Sequence, residues 1–166
     1  MIGRPAAWAA LWVTGVLLSA CGGEMSRGEF VAEANAICED STEALSGLTA
    51  NFDPSSPPSD FVERTASELE DLLQRLDDLE APSELQETFA ALLESLDEGI
   101  AELRPLAAAV EKSLNELDPR KPSQKDIEAV REISTRLNDA LAAADRAALD
   151  LGLDECAGTA GAAGGS

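Results

Sequence analysis

Residues 83–117 read SELQETFAALLESLDEGIAELRPLAAAVEKSLNEL, and Leu85, Phe89, Leu92, Leu96, Ile100, Leu103, Ala107, Val110, Leu114 and Leu117 recur in them at steps of three and four. That spacing places ten apolar side chains on one face of a helix, whereas a strand would bury every second residue. At 1.5 Å per residue the helix is about 50 Å long. Pro105 stands inside it. A proline there removes the bond to the carbonyl of Ala101 and crowds that turn, so the stretch predicts a long helix kinked at Pro105.

A single apolar stripe of this length needs partner helices, and the flanking sequence supplies them. Upstream, Asp60 with Glu63 three residues on predicts a helix start, and Val62, Thr65, Leu69, Leu72, Leu76 and Leu79 form the seam of a helix over Phe61 to Glu80. Pro82 ends it, and Ser83 with Gln86 restarts the chain almost at once, which predicts an antiparallel pair. Further upstream, Ser26 with Glu29 reads as a capping box for a first helix over Arg27 to Leu48, carrying Phe30, Ala34, Ile37, Ser41, Leu45 and Leu48. A loop rich in Pro and Ser separates the two. Downstream of the Asp118-Pro119-Arg120-Lys121-Pro122 break, Ser123 with Asp126 opens a fourth helix lined by Ile127, Val130, Ser134, Leu137, Leu141, Ala144, Ala148 and Leu151. Gly152 suits a left-handed cap, with Leu153 folding back on the last turn. The fold expected is all-α: an antiparallel up-down-up-down four-helix bundle over residues 26–156, followed by a disordered Gly/Ala tail over 157–166.

The N-terminus has a different character. Arg4 precedes the apolar run Ala6 to Leu18, and Leu18-Ser19-Ala20-Cys21 comes next. These residues resemble a bacterial lipoprotein signal with its lipobox. The resemblance implies that residues 1–20 are a cleaved signal peptide and that Cys21 becomes the first residue, carrying a diacylglyceryl thioether and often an amide-linked acyl chain such as palmitate. Two or three chains anchor stably to a membrane where one does not. The protein is then extracytoplasmic and lipid-anchored, with residues 21–25 as a short tether. The run from Ala6 to Cys21 is shorter than the ~18 residues wanted for a membrane span.

Lipidation of Cys21 leaves Cys38 and Cys156 as the remaining cysteines. In an oxidising compartment a disulfide is the economical reading; a cysteine-based metal site and free thiols are the alternatives. In an up-down bundle Cys156 returns to the side where the first helix begins, whereas Cys38 lies about 18 Å along that helix. Pairing therefore needs the segment after Gly152 to turn back, or the helices to be offset.

Formal net charge is −20, from 12 Lys and Arg against 32 Asp and Glu. Removing residues 1–20 takes away Arg4 and no acid, so the remaining 146 residues carry −21. Such a surface repels nucleic acid and attracts basic partners, an envelope protein of that kind being the one expected. The chain has no His and no Tyr, and both tryptophans, Trp8 and Trp12, lie in the signal segment. Phe30, Phe52, Phe61 and Phe89 are the only other aromatic residues, which leaves little material for aromatic cages or base stacking. Without His the usual imidazole bases and zinc sites are missing, and no phosphate loop, nucleophile elbow or dinucleotide fingerprint occurs. The adjacent acids Glu39-Asp40, Glu70-Asp71, Asp77-Asp78 and Asp97-Glu98 point about 100° apart on a helix and read as solvated surface. No catalytic, cofactor or metal residue is expected.

FVAEANAIC at 30–38 and LGLDEC at 151–156, together with the lipobox, resemble a group of small, acidic, helical lipoproteins and secreted proteins of actinobacteria. The resemblance implies pairing of an early and a late cysteine, here Cys38 and Cys156, and implies no substrate. The function expected is a surface-tethered, non-enzymatic interaction or scaffold module, which exposed Leu, Ile or Phe beyond the core stripes would support. The alternative is a carrier or sensor of a small apolar ligand held between the helices near Leu92, Leu96, Ile100 and Leu137. Ala34, Ala66, Ala107, Ala144 and Ala148 on or beside the stripes suit that alternative, but suit close helix packing better.

Overall fold

The computed structural model describes residues 25–53, 55–115 and 124–157. The lipobox, with Cys21, and the tail from residue 158 lie outside them. Four α-helices make up the described chain: α1 (Arg27–Ala50), α2 (Pro58–Asp77), α3 (Gln86–Asn115) and α4 (Gln124–Leu151). Among the described residues there is no strand.

Each helix starts and stops for a local reason. The Ser26 hydroxyl accepts from the Glu29 N–H, and the Glu29 carboxylate accepts from the Ser26 N–H at 3.1 Å, so the expected capping box is present. The Ser26 hydroxyl also donates to that carboxylate at 2.6 Å, and this bond, followed by the one from the Ser26 N–H, holds the Glu29 carboxyl below its usual range. α1 continues past Gly47 to Ala50, where the Asn51 side chain donates to the Gly47 carbonyl at 2.7 Å. α2 begins three residues before the expected Phe61: Pro58 sits at its first position and Pro57 caps it without a side-chain bond. Proline has no N–H to leave unsatisfied there and presets the helical φ. Asp60 is thus a first-turn residue, near the positive end of the helix dipole, and not a cap. α2 ends at Asp77, before the expected Glu80. A turn in which the Leu85 N–H reaches the Pro82 carbonyl at 2.8 Å then precedes α3, so that helix starts at Gln86 and not at Ser83. Pro105 lies within α3, on an exposed face beside exposed Ala101.

Contacts run α1 on α2, α2 on α3 and, most extensively, α3 on α4. As numbers rise on α3 they fall on α4: Gly99 faces Ala140, Glu102 bonds Arg136 and Lys112 bonds Asp126. α1 and α2 likewise pair Asp40 with Arg75 and Phe52 with Phe61. The helices are antiparallel neighbours in chain order, as the sequence predicts. At Gly99 a Cβ would lie 3.3 Å from a Leu141 methyl, so glycine lets α3 and α4 approach closely.

The core is polarised along the bundle. Phe30, Cys38, Leu76, Leu92, Leu151 and Leu153 are its largest fully buried apolar side chains, and all but Cys38, which lies midway along α1, are at the base, where α1 and α3 begin and α2 and α4 end. Phe30 and Phe89 meet edge to face with centroids 5.0 Å apart. At the opposite end the buried apolar residues are smaller or fewer, among them Ala66, Ile100, Ala107 and Ala140, while Phe52 is 47% exposed. Met25, expected in the tether, and Ala157, expected in the tail, both pack against the basal core.

Gly152 closes α4 in the left-handed conformation the sequence predicts. Its φ of 82° lets its N–H reach the Leu149 carbonyl at 3.0 Å and the Leu153 N–H reach the Ala148 carbonyl at 2.8 Å, with Leu153 fully buried. A side chain at Gly152 meets no atom within 4 Å, so its cost is conformational alone. Gly152→Ala is expected to lower stability by about 1–2 kcal/mol, measured by urea unfolding.

Candidate functional site

The two cysteines expected to pair do so: Cys38 and Cys156 form a disulfide with Cα atoms 5.0 Å apart. The distance along α1 is bridged because the chain reverses at Gly152 and forms a helical turn over 154–157, seating the Cys156 sulfur 3.8 Å from the Ala34 carbonyl oxygen. Asn35 holds this turn, its side-chain oxygen accepting from the Glu155 N–H at 3.1 Å and its amide donating to the Gly152 carbonyl at 3.5 Å.

The adjacent acidic pairs all lie exposed, and several acids are bound by arginines from the next helix. Arg75 of α2 binds Asp40 of α1 at 2.9 Å. Arg104 of α3 forks between Glu63 and Glu70 of α2, at 2.9 and 2.7 Å, and its guanidinium is held more firmly protonated by those two partners. Arg136 of α4 grips Glu102 of α3 at 2.8 Å and Glu132 on its own helix. The Arg136 hydrogen bond holds the Glu102 carboxyl below its usual range. Its contribution to stability is therefore present above the ordinary carboxylate range and lost as pH falls through the lowered value. Glu102→Gln should lower the urea midpoint at pH 7, with the gap to wild type closing as pH falls through the lowered value.

Asp145 behaves oppositely. Its Oδ1 is buried without a hydrogen-bond partner among the described residues, and burial pushes its carboxyl upward. Ionisation then costs stability above the raised value, so Asp145→Asn is expected to raise the midpoint at pH 7 and change little at pH 3.

The basal half of the outer α2–α3 seam is concave. One hollow of about 400 Å³ is lined by Met25, Leu79, Ala81, Phe89 and Ala90 with Asp77, Glu80, Gln86 and Leu93. A second, of about 440 Å³, continues it between Leu73 and Leu93 with Glu70, Gln74, Asp77, Glu94 and Asp97. Asp77 and Leu93 border both, so the two form one groove. Leu73 and Leu93, each four residues after one stripe residue and three before the next, widen the core stripes of their helices; both are half-buried, and Leu93 packs against the core. Asp77, Glu80, Glu94 and Asp97 make no ion pair among the described residues, and no Lys or Arg lines the groove. Sequence reasoning puts Asp77 and Asp97 on solvated faces and does not bring α2 and α3 acids together, and Leu73 and Leu93 read as edges of their core stripes.

Leu92, Leu96, Ile100 and Leu137, the residues expected around an internal ligand, line neither hollow. Leu92 and Ile100 are buried, beside the close α3–α4 approach at Gly99. Leu149 on α4 is 58% exposed, and Phe52 and Ile127 present apolar surface at the end opposite the base. No described helix is long and apolar enough to cross a membrane. Among the described residues no three His, Cys, Asp or Glu side chains are grouped to hold a metal. Compared with known proteins, the chain matches no family model, no curated protein and no solved structure.

Proposed function

We propose that this chain is a non-enzymatic lipoprotein of the cell envelope, tethered through Cys21, whose helical domain binds or scaffolds another envelope protein. The observation that carries the reading is the α2–α3 groove, where half-buried Leu73 and Leu93 lie among unpaired carboxylates. Carboxylates on a solvated helix face need no partner. The surface that leucines at the edge of the core stripes still show beside them gains by being covered. The lipobox supports the location, and Cys21 stands six residues before α1, whose first turn lies at the base of the bundle.

Native mass spectrometry of the chain extracted from its own membrane tests both halves of the proposal. The expected species begins at Cys21, carries diacylglyceryl and acyl groups and retains a second protein until denaturation. Cys21→Ser should release the chain from the membrane fraction. A small apolar molecule freed on denaturation, with no protein partner, would replace the interaction reading with the carrier alternative.

A further inference from the structure

We infer that the basal α2–α3 groove receives a basic, amphipathic helical segment of a membrane protein, bound close to the lipid surface; this rests on the lipid-anchored interaction reading above. The groove has the dimensions for such a guest. Its α3 wall runs from Gln86 to Asp97, about 16 Å or three helical turns. Its apolar lining comes from Met25, Leu73, Leu79, Ala90 and Leu93, all at least partly exposed. A helix with apolar residues three and four apart lays its stripe on such a floor and its flanking residues on the rims.

The rims define the flanking residues. Asp77 and Glu80 come from α2 and the adjoining turn, and Glu94 and Asp97 from α3. Farther along the seam, Arg104 draws in Glu63 and Glu70 and bridges the two helices, which closes the groove at that end. Nothing equivalent neutralises the basal acids. Four unpaired carboxylates beside apolar floor repel an anionic headgroup, or a second copy of a chain of net charge −20, and complement Lys and Arg. Position supplies the membrane. Met25 lines the groove four residues after Cys21, and that length of chain spans at most ~14 Å. The guest therefore lies within reach of its own membrane anchor.

The test is site-specific photo-crosslinking in the intact, lipidated chain in its own cells, with the reactive group at Ala90 in the groove and, in parallel, at Phe52 and Leu149. The expected product at Ala90 maps to a segment of a membrane protein with Lys or Arg flanking an apolar helical stripe. Combining Asp77→Asn, Glu94→Gln and Asp97→Asn should lower its yield about tenfold, the loss of three exposed charge pairs, with helicity and membrane attachment unchanged. An Ala90 product with lipid, with a second copy or with an acidic segment overturns the inference, as does a yield indifferent to the three substitutions. Capture of a partner at Phe52 or Leu149 but not at Ala90 sinks the groove and leaves the interaction reading standing. Capture at none of the three sinks both.

Discussion

Replacing Cys38 and Cys156 together by serine is expected to lower the folding free energy by about 4 kcal/mol, read as a drop in urea midpoint with little change in the native helical signal. The magnitude comes from the 118-residue separation that the bond closes, since a long loop held shut in the unfolded chain removes much of its conformational freedom. A small domain has only about 5–15 kcal/mol to lose. The effect should be one of equilibrium more than of architecture, because the main helix contacts run between neighbours in chain order, α1 on α2, α2 on α3 and α3 on α4, and the bond joins none of these pairs. A loss below about 1 kcal/mol would mean that the reduced chain holds its ends together unaided.

Phe30→Ala should cost about 3–5 kcal/mol, measured in the same way. Phe30 is fully buried at the N-terminal turn of α1 and meets the ring of Phe89 edge to face. It belongs to the cluster in which all four helices contribute side chains. Removing the ring leaves a void bounded by Phe89 and its neighbours in a part of the core with little freedom to collapse, and forfeits the aromatic pairing as well. Phe52→Ala makes the contrast. Its partner is Phe61 at 5.2 Å, but with nearly half its surface exposed it should cost well under half as much.

Helix number, order and direction are legible in the sequence because the apolar stripes persist over many turns and the breaks between them carry proline. Helix ends are less so. Asp60 and Ser83 both fit a capping pattern, yet Pro57-Pro58 starts α2 earlier, and the Pro82 to Leu85 turn delays α3. A preset proline φ outweighs a side-chain cap that is worth only about 1 kcal/mol. Parity and compartment suggest the disulfide, while its reach depends on a reversal of the chain after Gly152 that brings Cys156 back along α1 to Cys38. The groove is not legible. Leu73 and Leu93 can be seen to broaden their stripes, but their meeting depends on how far α2 and α3 rotate about their own axes, which a stripe broader than about 100° does not specify.

The uneven distribution of buried side chains sets a gradient of local opening along the molecule. Backbone amides at the base, around Phe30, Leu76, Leu92 and Leu151, should exchange with deuterium only when the whole domain unfolds, whereas those near Phe52 and Ile127 should exchange through smaller excursions. The end where α1 begins is thus the rigid one. A guest docking there meets a surface already in its final form and loses little entropy in ordering it, while the far end remains free to yield without disturbing that contact.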